Sequence, residues 1–337
     1  MARFTGILIH RNASVALLDV LDAWLAQTEL ERLIVVDNGS TAEHLEALRA
    51  GLERAGLERA GLESAGLESA GLERPGLESA GLERGRPPGD NGPLIELLEA
   101  GENLGFGPGA NFGLRHWLAS CNTDEDTEWV ALAPHDAAPA VDCLERMGAA
   151  LDARPGAALA CADVGDGSIP VFDPYFGGMV TVPGPAATPA DPDGWEDVDY
   201  PHGTLMVARR AALEEIGLFD ERYFAYCEEA DLGARARQLG WGVGLVRGAR
   251  VTNTHLGSSV ALVDYLQHRN TLLLVRTHSG LYHAFIRLCI SLYQLAGGVL
   301  RPARRPLVFD ARARWEGIVD FVRGRYGPPP ERYLTPR

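Results

Sequence analysis

Two adjacent carboxylates, Glu228 and Glu229, lie in the stretch Tyr223-Phe224-Ala225-Tyr226-Cys227-Glu228-Glu229-Ala230-Asp231-Leu232. Leu232, Arg235, Ala236 and Leu239 recur at helical spacing, which predicts a helix over 228–239 with three acids in its first turn. The macrodipole stabilises negative charge there, and such a pair can take a proton from an alcohol. The competing reading is a set of solvated surface charges. Asp231 and Arg235, four residues apart, are expected to form an ion pair.

Asp136 follows the apolar run Ala131-Leu132-Ala133-Pro134-His135. A carboxylate at a strand end can hold a divalent cation against a diphosphate, or it can cap the next helix. Asp37 ends the run Ile34-Val35-Val36 before Asn38-Gly39-Ser40-Thr41. Ligands of open α/β sheets bind outside the carboxyl ends of strands, so Asp37 can meet a nucleobase or ribose; otherwise it shapes the turn. His255, in Thr254-His255-Leu256-Gly257, is either a metal or phosphate ligand or a satisfied polar group.

Asn103-Leu104-Gly105-Phe106-Gly107-Pro108-Gly109-Ala110-Asn111-Phe112-Gly113 is rich in glycine ahead of a helix, a pattern that lets backbone approach a phosphate. Gly105, Gly107 and Ala110 also fit G-x-G-x-x-A, with Asp124 and Asp126 downstream, which would mean an NAD(P)-dependent oxidoreductase. The strand at 94–98 ends well before Gly105, whereas that fingerprint needs its first glycine in the strand-to-helix turn, so the dinucleotide signal is weak.

The elements that must carry these residues alternate. Residues 4–9 read as a buried strand, 14–26 as a helix, 33–36 as a strand, and Ser40-Thr41-Ala42-Glu43 as a capping box opening another helix. After an interruption the rhythm resumes: strand 94–98, helix 109–119, strand 129–133, helix 140–151, loops with short strands over 164–202, strand 204–207, helix 210–216, a strand-like 249–252, and helix beyond 260. The expected class is α/β, a mostly parallel sheet flanked by helices with a C-terminal helical extension. Two units are expected: residues 1–260 as an α/β domain and 261–337 as a basic helical extension. The interruption is an insertion at 50–90, where G-L-E recurs seven times at a five-residue period from Gly51 to Gly81. A five-residue step advances about 140° around a helix and builds no apolar stripe, so a surface decoration is expected.

The chain has 337 residues, 46% hydrophobic, which excludes wholesale disorder. Its net charge of −15 is divided: residues 1–260 carry 19 Arg and 41 acids, whereas 261–337 carry 12 Arg and 5 acids. An acidic body argues against nucleic acid, whose affinity rests on phosphate neutralisation. Five scattered cysteines without a C-x-x-C argue against a structural zinc or disulfide framework, and the N-terminus reads as a first strand, so a cytoplasmic protein is expected. In 281–300 the polar residues His283, Arg287, Ser291 and Gln294 form one narrow stripe on an otherwise apolar helix. With the arginines of 301–305, this leaves burial and peripheral membrane contact through 281–305 as two open readings.

Taken in order, VDNGST, ENLGFGPGANFGLR, the strand-end Asp136, GLFDE with YFAYCEEADLGARARQLGW, HLGSS, and Tyr265 with Arg269-Asn270 resemble the inverting family 2 glycosyltransferases of GT-A fold, especially the rhamnosyltransferase-like branch. The resemblance covers about residues 3–280 apart from the repeat. It implies transfer of a sugar from a nucleoside-diphosphate sugar, dTDP- or UDP-linked, to a glycan, lipid-linked or small-molecule hydroxyl, with Mg2+ or Mn2+ as cofactor. Ile9 and His10 would border the nucleotide pocket, and Asp37 would contact the base. Asn103, Gly105 and Asn111 would shape the donor site with Arg115 nearby, and Asp136 would bind the metal–diphosphate with His255 completing the metal site. Glu229 would be the catalytic base, with Glu228 in reserve. Three positions depart from the pattern: Pro134 replaces the first side chain of the D-x-D motif, Glu229 replaces Asp and reaches about 1.5 Å further, and Ala42 stands where Asp is frequent. A degenerate member that binds nucleotide or glycan without turnover is the alternative these departures raise.

Overall fold

The computed structural model describes residues 2–56, 82–85, 92–120, 128–175, 178–184, 194–253 and 258–334, with backbone alone at 82–85. In chain order the first half comprises β1 (Phe4–His10), α1 (Ser14–Leu25), β2 (Leu30–Asp37), α2 (Ala42–Arg54), β3 (Leu82–Gly85), β4 (Leu94–Glu99), α3 (Phe106–Ala119), β5 (Trp129–Pro134), β6 (Ala137–Pro139) and α4 (Cys143–Asp152). The second half comprises β7 (Ala157–Asp163), β8 (Ser168–Asp173), β9 (Gly178–Pro183), β10 (Trp195–Asp197), β11 (Met206–Arg209), α5 (Arg210–Ile216), α6 (Glu228–Gln238), β12 (Gly242–Asn253), α7 (Val260–Leu300) and α8 (Ala311–Val322).

Period-two alternation feeds two cores. Phe4 and Leu8 of β1 and Leu33 and Val35 of β2 pack on one face with Leu17, Leu21 and Trp24 of α1 and Leu144 and Met147 of α4. Ile7, Ile9, Ile34 and Val36 pack on the other with Leu114 and Trp117 of α3 and Leu232 and Ala236 of α6. Strands buried on both faces read as continuous apolar runs, which is why the repeat-free sequence already implied a sheet sandwiched by helices. The main sheet has ten strands in the order β10-β12-β7-β11-β5-β1-β2-β4-β3, with β6 paired to β12. Its centre is parallel: β1 lies between β2 and β5, β4 joins β2, and β7 joins β12. β11 enters antiparallel between β5 and β7. β8 and β9 form a separate hairpin.

Several boundaries differ from expectation. The strand β7 was not anticipated; its sequence AALACAD is alanine-rich, and only burial of all seven residues makes it a strand. Helix α3 starts at Phe106, three residues before Gly109, so Gly107 lies inside the helix rather than in a phosphate loop. β6 precedes α4 and delays that helix to Cys143. β11 runs two residues later than the strand expected at 204–207, and β12 is far longer than 249–252. The capping box does not form: Thr41 is the N-cap without a side-chain cap bond, and the Ser40 hydroxyl accepts instead from the Asn12 amide at 2.9 Å. Helix α2 runs into the repeat as far as Arg54, and Leu82–Gly85 at its end pairs antiparallel with β4. The rest of the repeat, with Cys121, Asp124, Asp126 and His255, lies outside the described residues.

Helix α7 is two helices joined at Gly280, whose φ of 86° places it in the region glycine alone enters freely. The first half carries Tyr265, Leu266, Arg269, Asn270 and Leu272 through Val275 into the interior. Helix α8 packs across it, with Arg314 and Asp264 paired at 2.9 Å.

Candidate active site

Parallel register sets the first wall of the site. His10 pairs with Asp37 and Ile9 with Pro134, so the ends of β1, β2 and β5 leave the sheet at one edge, followed by His135 and Asp136. The Ala13 amide donates to His10 Nε2 at 3.2 Å, which leaves the proton on Nδ1 to donate to Asp37 Oδ1 at 3.0 Å. The Ser40 amide donates to Asp37 Oδ2 at 3.1 Å. Burial alone would raise the Asp37 carboxyl, but the hydrogen bonds from His10 and Ser40 outweigh it and hold Asp37 below the ordinary range. The Ile9 carbonyl accepts from the His135 amide at 3.1 Å, and the His135 ring meets His10 edge-on at 6.1 Å. Asp136 is buried, 4% exposed, in the turn between β5 and β6.

The glycine-rich turn is clamped to that wall by Asn38, whose side chain donates to the Gly105 carbonyl at 2.8 Å and accepts from the Leu104 amide at 2.9 Å. The Asn103 side chain accepts from the Gly105 amide at 3.2 Å. Gly105 itself, at φ 94°, comes so near the segment before α6 that a Cβ would stand 2.3 Å from the Phe224 carbonyl oxygen. Asn111 is spent on backbone: it donates to the Phe219 carbonyl at 2.9 Å and accepts from the Phe219 amide at 3.0 Å. Arg115 pairs with Glu221 at 2.5 Å. Both residues thus tie α3 to the loop after α5.

The second wall is the loop leading into α6. Phe224, Tyr226 and Cys227 all have positive φ, 65°, 67° and 78°, although none is glycine. Each such residue costs on the order of 1 kcal/mol and persists only when its surroundings fix it. The fixing residue is Asn270 on α7, whose amide donates to the carbonyls of Tyr223, Ala225 and Tyr226 at 2.7, 2.8 and 2.9 Å. Arg269 adds a bond to the Tyr223 carbonyl at 3.2 Å. The Arg269-Asn270 pair was visible in the sequence only as part of a resemblance, with no role attached.

The acid pair follows directly. Glu228 is buried and Glu229 half-buried, and among the described residues neither Glu228 Oε2 nor Glu229 Oε2 has a hydrogen-bond partner. Glu228 lies beside the first turn of α3, its Cβ and Cγ 3.4 Å from where a Cβ of Gly107 would stand. Burial, and then the neighbouring Glu229 charge, push the Glu228 carboxyl well up. Burial pushes Glu229 up to about 7. Both carboxyls are thus held toward the protonated form, and Glu229 comes into the working range of a general base. Burial also pushes the Cys227 thiol up, which removes it as a nucleophile. Asp231 forms the expected pair with Arg235 at 2.9 Å and also meets His278 at 2.8 Å. Beside the acid loop is a cavity of about 150 Å³ lined by Tyr226, Cys227, His268, Thr271 and Arg287, among others.

Among the described residues no three His, Cys, Asp or Glu side chains converge on a common point. Of the expected metal ligands only Asp136 lies among the described residues. Its single carboxylate suits an ion held mainly by diphosphate oxygens and water rather than by a protein cage.

No protein-family model matches the chain. It is 29% identical over 227 residues to the N-acetylglucosaminyl-diphospho-decaprenol L-rhamnosyltransferase of Mycobacterium tuberculosis, covering 58% of this chain and 71% of that one. Among solved structures it resembles the GalNAc-T7 complex with UDP, GalNAc and Mn2+, with TM-score 0.58, 12% identity, and 96% of this chain and 56% of that one covered. It also resembles a mannosyltransferase of Pyrobaculum calidifontis in complex with GDP-Man and Mn2+, with TM-score 0.51, 15% identity, and coverages of 96% and 86%. The fold is that of GT-A glycosyltransferases, and the expected resemblance to rhamnosyltransferases and the expected glycosyltransferase activity are borne out at that level.

Proposed function

We propose that this GT-A glycosyltransferase moves a sugar from a dTDP- or UDP-linked donor to a lipid-linked or glycan hydroxyl of a cell-envelope polysaccharide, with inversion at the anomeric carbon. The observation that carries the reading is the acid pair at the N-terminus of α6, whose Oε2 atoms have no partner among the described residues and whose Glu228 is seated against the first turn of α3. The acceptor oxygen forms the new bond to the anomeric carbon while the bond from that carbon to the diphosphate oxygen breaks. The acceptor proton passes to Glu229, with Glu228 as the reserve base, and the electron pair leaves with the nucleoside diphosphate.

Ile9, His10 and Asp37 line the nucleotide side, where the His10–Asp37 bond fixes a carboxylate edge for the base. Asn103 and Gly105 shape the donor turn. Asn111 and Arg115 act through the Phe219–Glu221 segment they hold. Asp136, with His255, would hold a Mg2+ or Mn2+ ion. When bound, that ion supplies charge neutralisation of the leaving diphosphate. The protein works at the cytoplasmic face of a membrane. The relative's name supplies the lipid-linked acceptor by similarity.

A thermal-shift panel with UDP, dTDP, GDP and NAD+, each with Mn2+ or EDTA, tests the donor half. A ligand at about 100 times its Kd stabilises the native state by about 2.7 kcal/mol. Stabilisation by one nucleoside diphosphate is expected. A response to NAD+ alone would overturn the reading, and nucleotide binding without transfer across donors and acceptors would leave a degenerate binder.

A further inference from the structure

The second half of α7 is amphipathic with its faces reversed. Arg287 and Ser291, from the polar stripe, are buried against the protein, while Leu281, Tyr282, Phe285, Tyr293 and Leu300 are 64–78% exposed. At about 100° per residue, Leu281, Phe285, Leu292 and Val299 fall within a sector ~40° wide, and Tyr282, Tyr293 and Leu300 extend it to ~120°. The helix ends in a run in which Arg301, Arg304, Arg305 and Leu307 are all exposed. Between Asp264 and Asp310 the chain holds six Arg and no Asp or Glu, on a protein whose net charge is −15. A soluble surface does not normally present aromatic and aliphatic side chains in one strip with cations at its end.

We propose that residues 281–307 form a docking surface for an anionic lipid bilayer, lying along the interface rather than crossing it. Helix α7 is long and apolar enough to span a membrane by composition. Its first half is interior to the protein, however, and Arg287 turns inward from the second half, so only one face can meet lipid. The exposed strip enters the headgroup–acyl boundary, Tyr282 and Tyr293 lie at headgroup depth, and Arg301, Arg304 and Arg305 meet anionic headgroups. Charge favours a bilayer, because six arginines and no acid between Asp264 and Asp310 complement an anionic headgroup surface.

The surface also registers the site. The inward face of the same helix contributes Arg287 to the cavity beside Cys227, the residue preceding the acid pair. A hydroxyl carried by a membrane-embedded lipid would thus be presented to Glu228 and Glu229 from the bilayer side. This last step rests on the proposed transferase reading; the lipid surface itself does not.

The test is co-flotation of the full-length protein with vesicles of phosphatidylcholine alone or mixed with phosphatidylglycerol. Binding to the mixed vesicles that weakens at high salt is expected. Replacing Arg301, Arg304 and Arg305 with Gln should weaken it about 100-fold, at roughly a factor of five per arginine. Replacing Leu281, Phe285 and Tyr293 with Ser should weaken it by a similar factor of about 100 without lowering Tm. No flotation of the wild type, or equal flotation of the serine variant, would overturn the proposal. So would a wild-type dimer in analytical ultracentrifugation that the serine variant converts to monomer while vesicle binding persists. Transfer to a short water-soluble acceptor should survive in both variants, while transfer to a vesicle-embedded acceptor falls. Lipid binding with no transfer to any acceptor would remove the transferase reading and leave the surface standing.

Discussion

Along the strand ends and the glycine turn, Asp37, Asn38 and Asn111 each have both side-chain ends bonded within the protein. Across the site the loop into α6 holds three left-handed residues and two carboxylates with unpartnered oxygens. The first wall is rigid scaffold at low internal cost. The second stores conformational strain and unsatisfied charge, and it is stable only because α7 holds its carbonyls. A buried carboxylate left without donors is the group best prepared to accept a proton from something that arrives, so the contrast assigns recognition to one wall and chemistry to the other.

The contrast breaks first at the acids. In the double variant Glu228→Gln, Glu229→Gln, transfer should fall about 1,000-fold, while Tm at pH 8 stays level or rises. The sign follows from linkage. A carboxyl whose folded value is raised contributes stability fully present below the unfolded value of 4.5 and lost as pH climbs through about 7. Wild-type stability should therefore decline across that window and the double variant should not. For the wild type, kcat/KM should rise with pH through the same window, because the base acts only when ionised. A variant with full transfer would remove the acid pair from the mechanism.

Next in size is the joint between the walls. Gly105→Ala forces a side chain into a left-handed backbone and onto the Phe224 carbonyl, so a loss of about 3 kcal/mol or more is expected by denaturant unfolding. Asn270→Ala removes the donor shared by three loop carbonyls, and a loss of about 2–3 kcal/mol should accompany a fall in kcat. Donor affinity should survive in the Asn270 variant and fail in the Gly105 variant. If both lost it equally, the two walls would be one unit and the contrast would be wrong.

How much of this was legible in the sequence follows the same division. The first wall is made of local signals: an apolar run ending in Asp37 and a glycine-rich turn; of the second wall only the acids opening α6 are local in this sense. Each was readable because neighbours in sequence cause it. The second wall depends on contacts more than forty residues apart, such as Asn270 on the 223–226 carbonyls, and no propensity announces left-handed Phe224, Tyr226 and Cys227. Strand β7 carries no local strand signal, because alanine favours helix and only its central place in the sheet overrides that. The direction of the stripe on α7 was equally hidden. Helical spacing locates Arg287 and Ser291 on one face, but it takes packing to show that this face points inward.

The smallest effect sharpens the contrast from the scaffold side. Arg115 and Glu221 are about one-third and one-quarter exposed, 35% and 27%, so water screens their attraction. Arg115→Gln should cost less than about 1 kcal/mol of stability. If Arg115 serves the site through the Phe219–Glu221 segment, donor KM should rise by a small factor while kcat and the pH profile stay unchanged. A kcat loss without a KM change would place Arg115 on the chemical side, and the division between a recognition wall and a strained wall would have to be redrawn around α3.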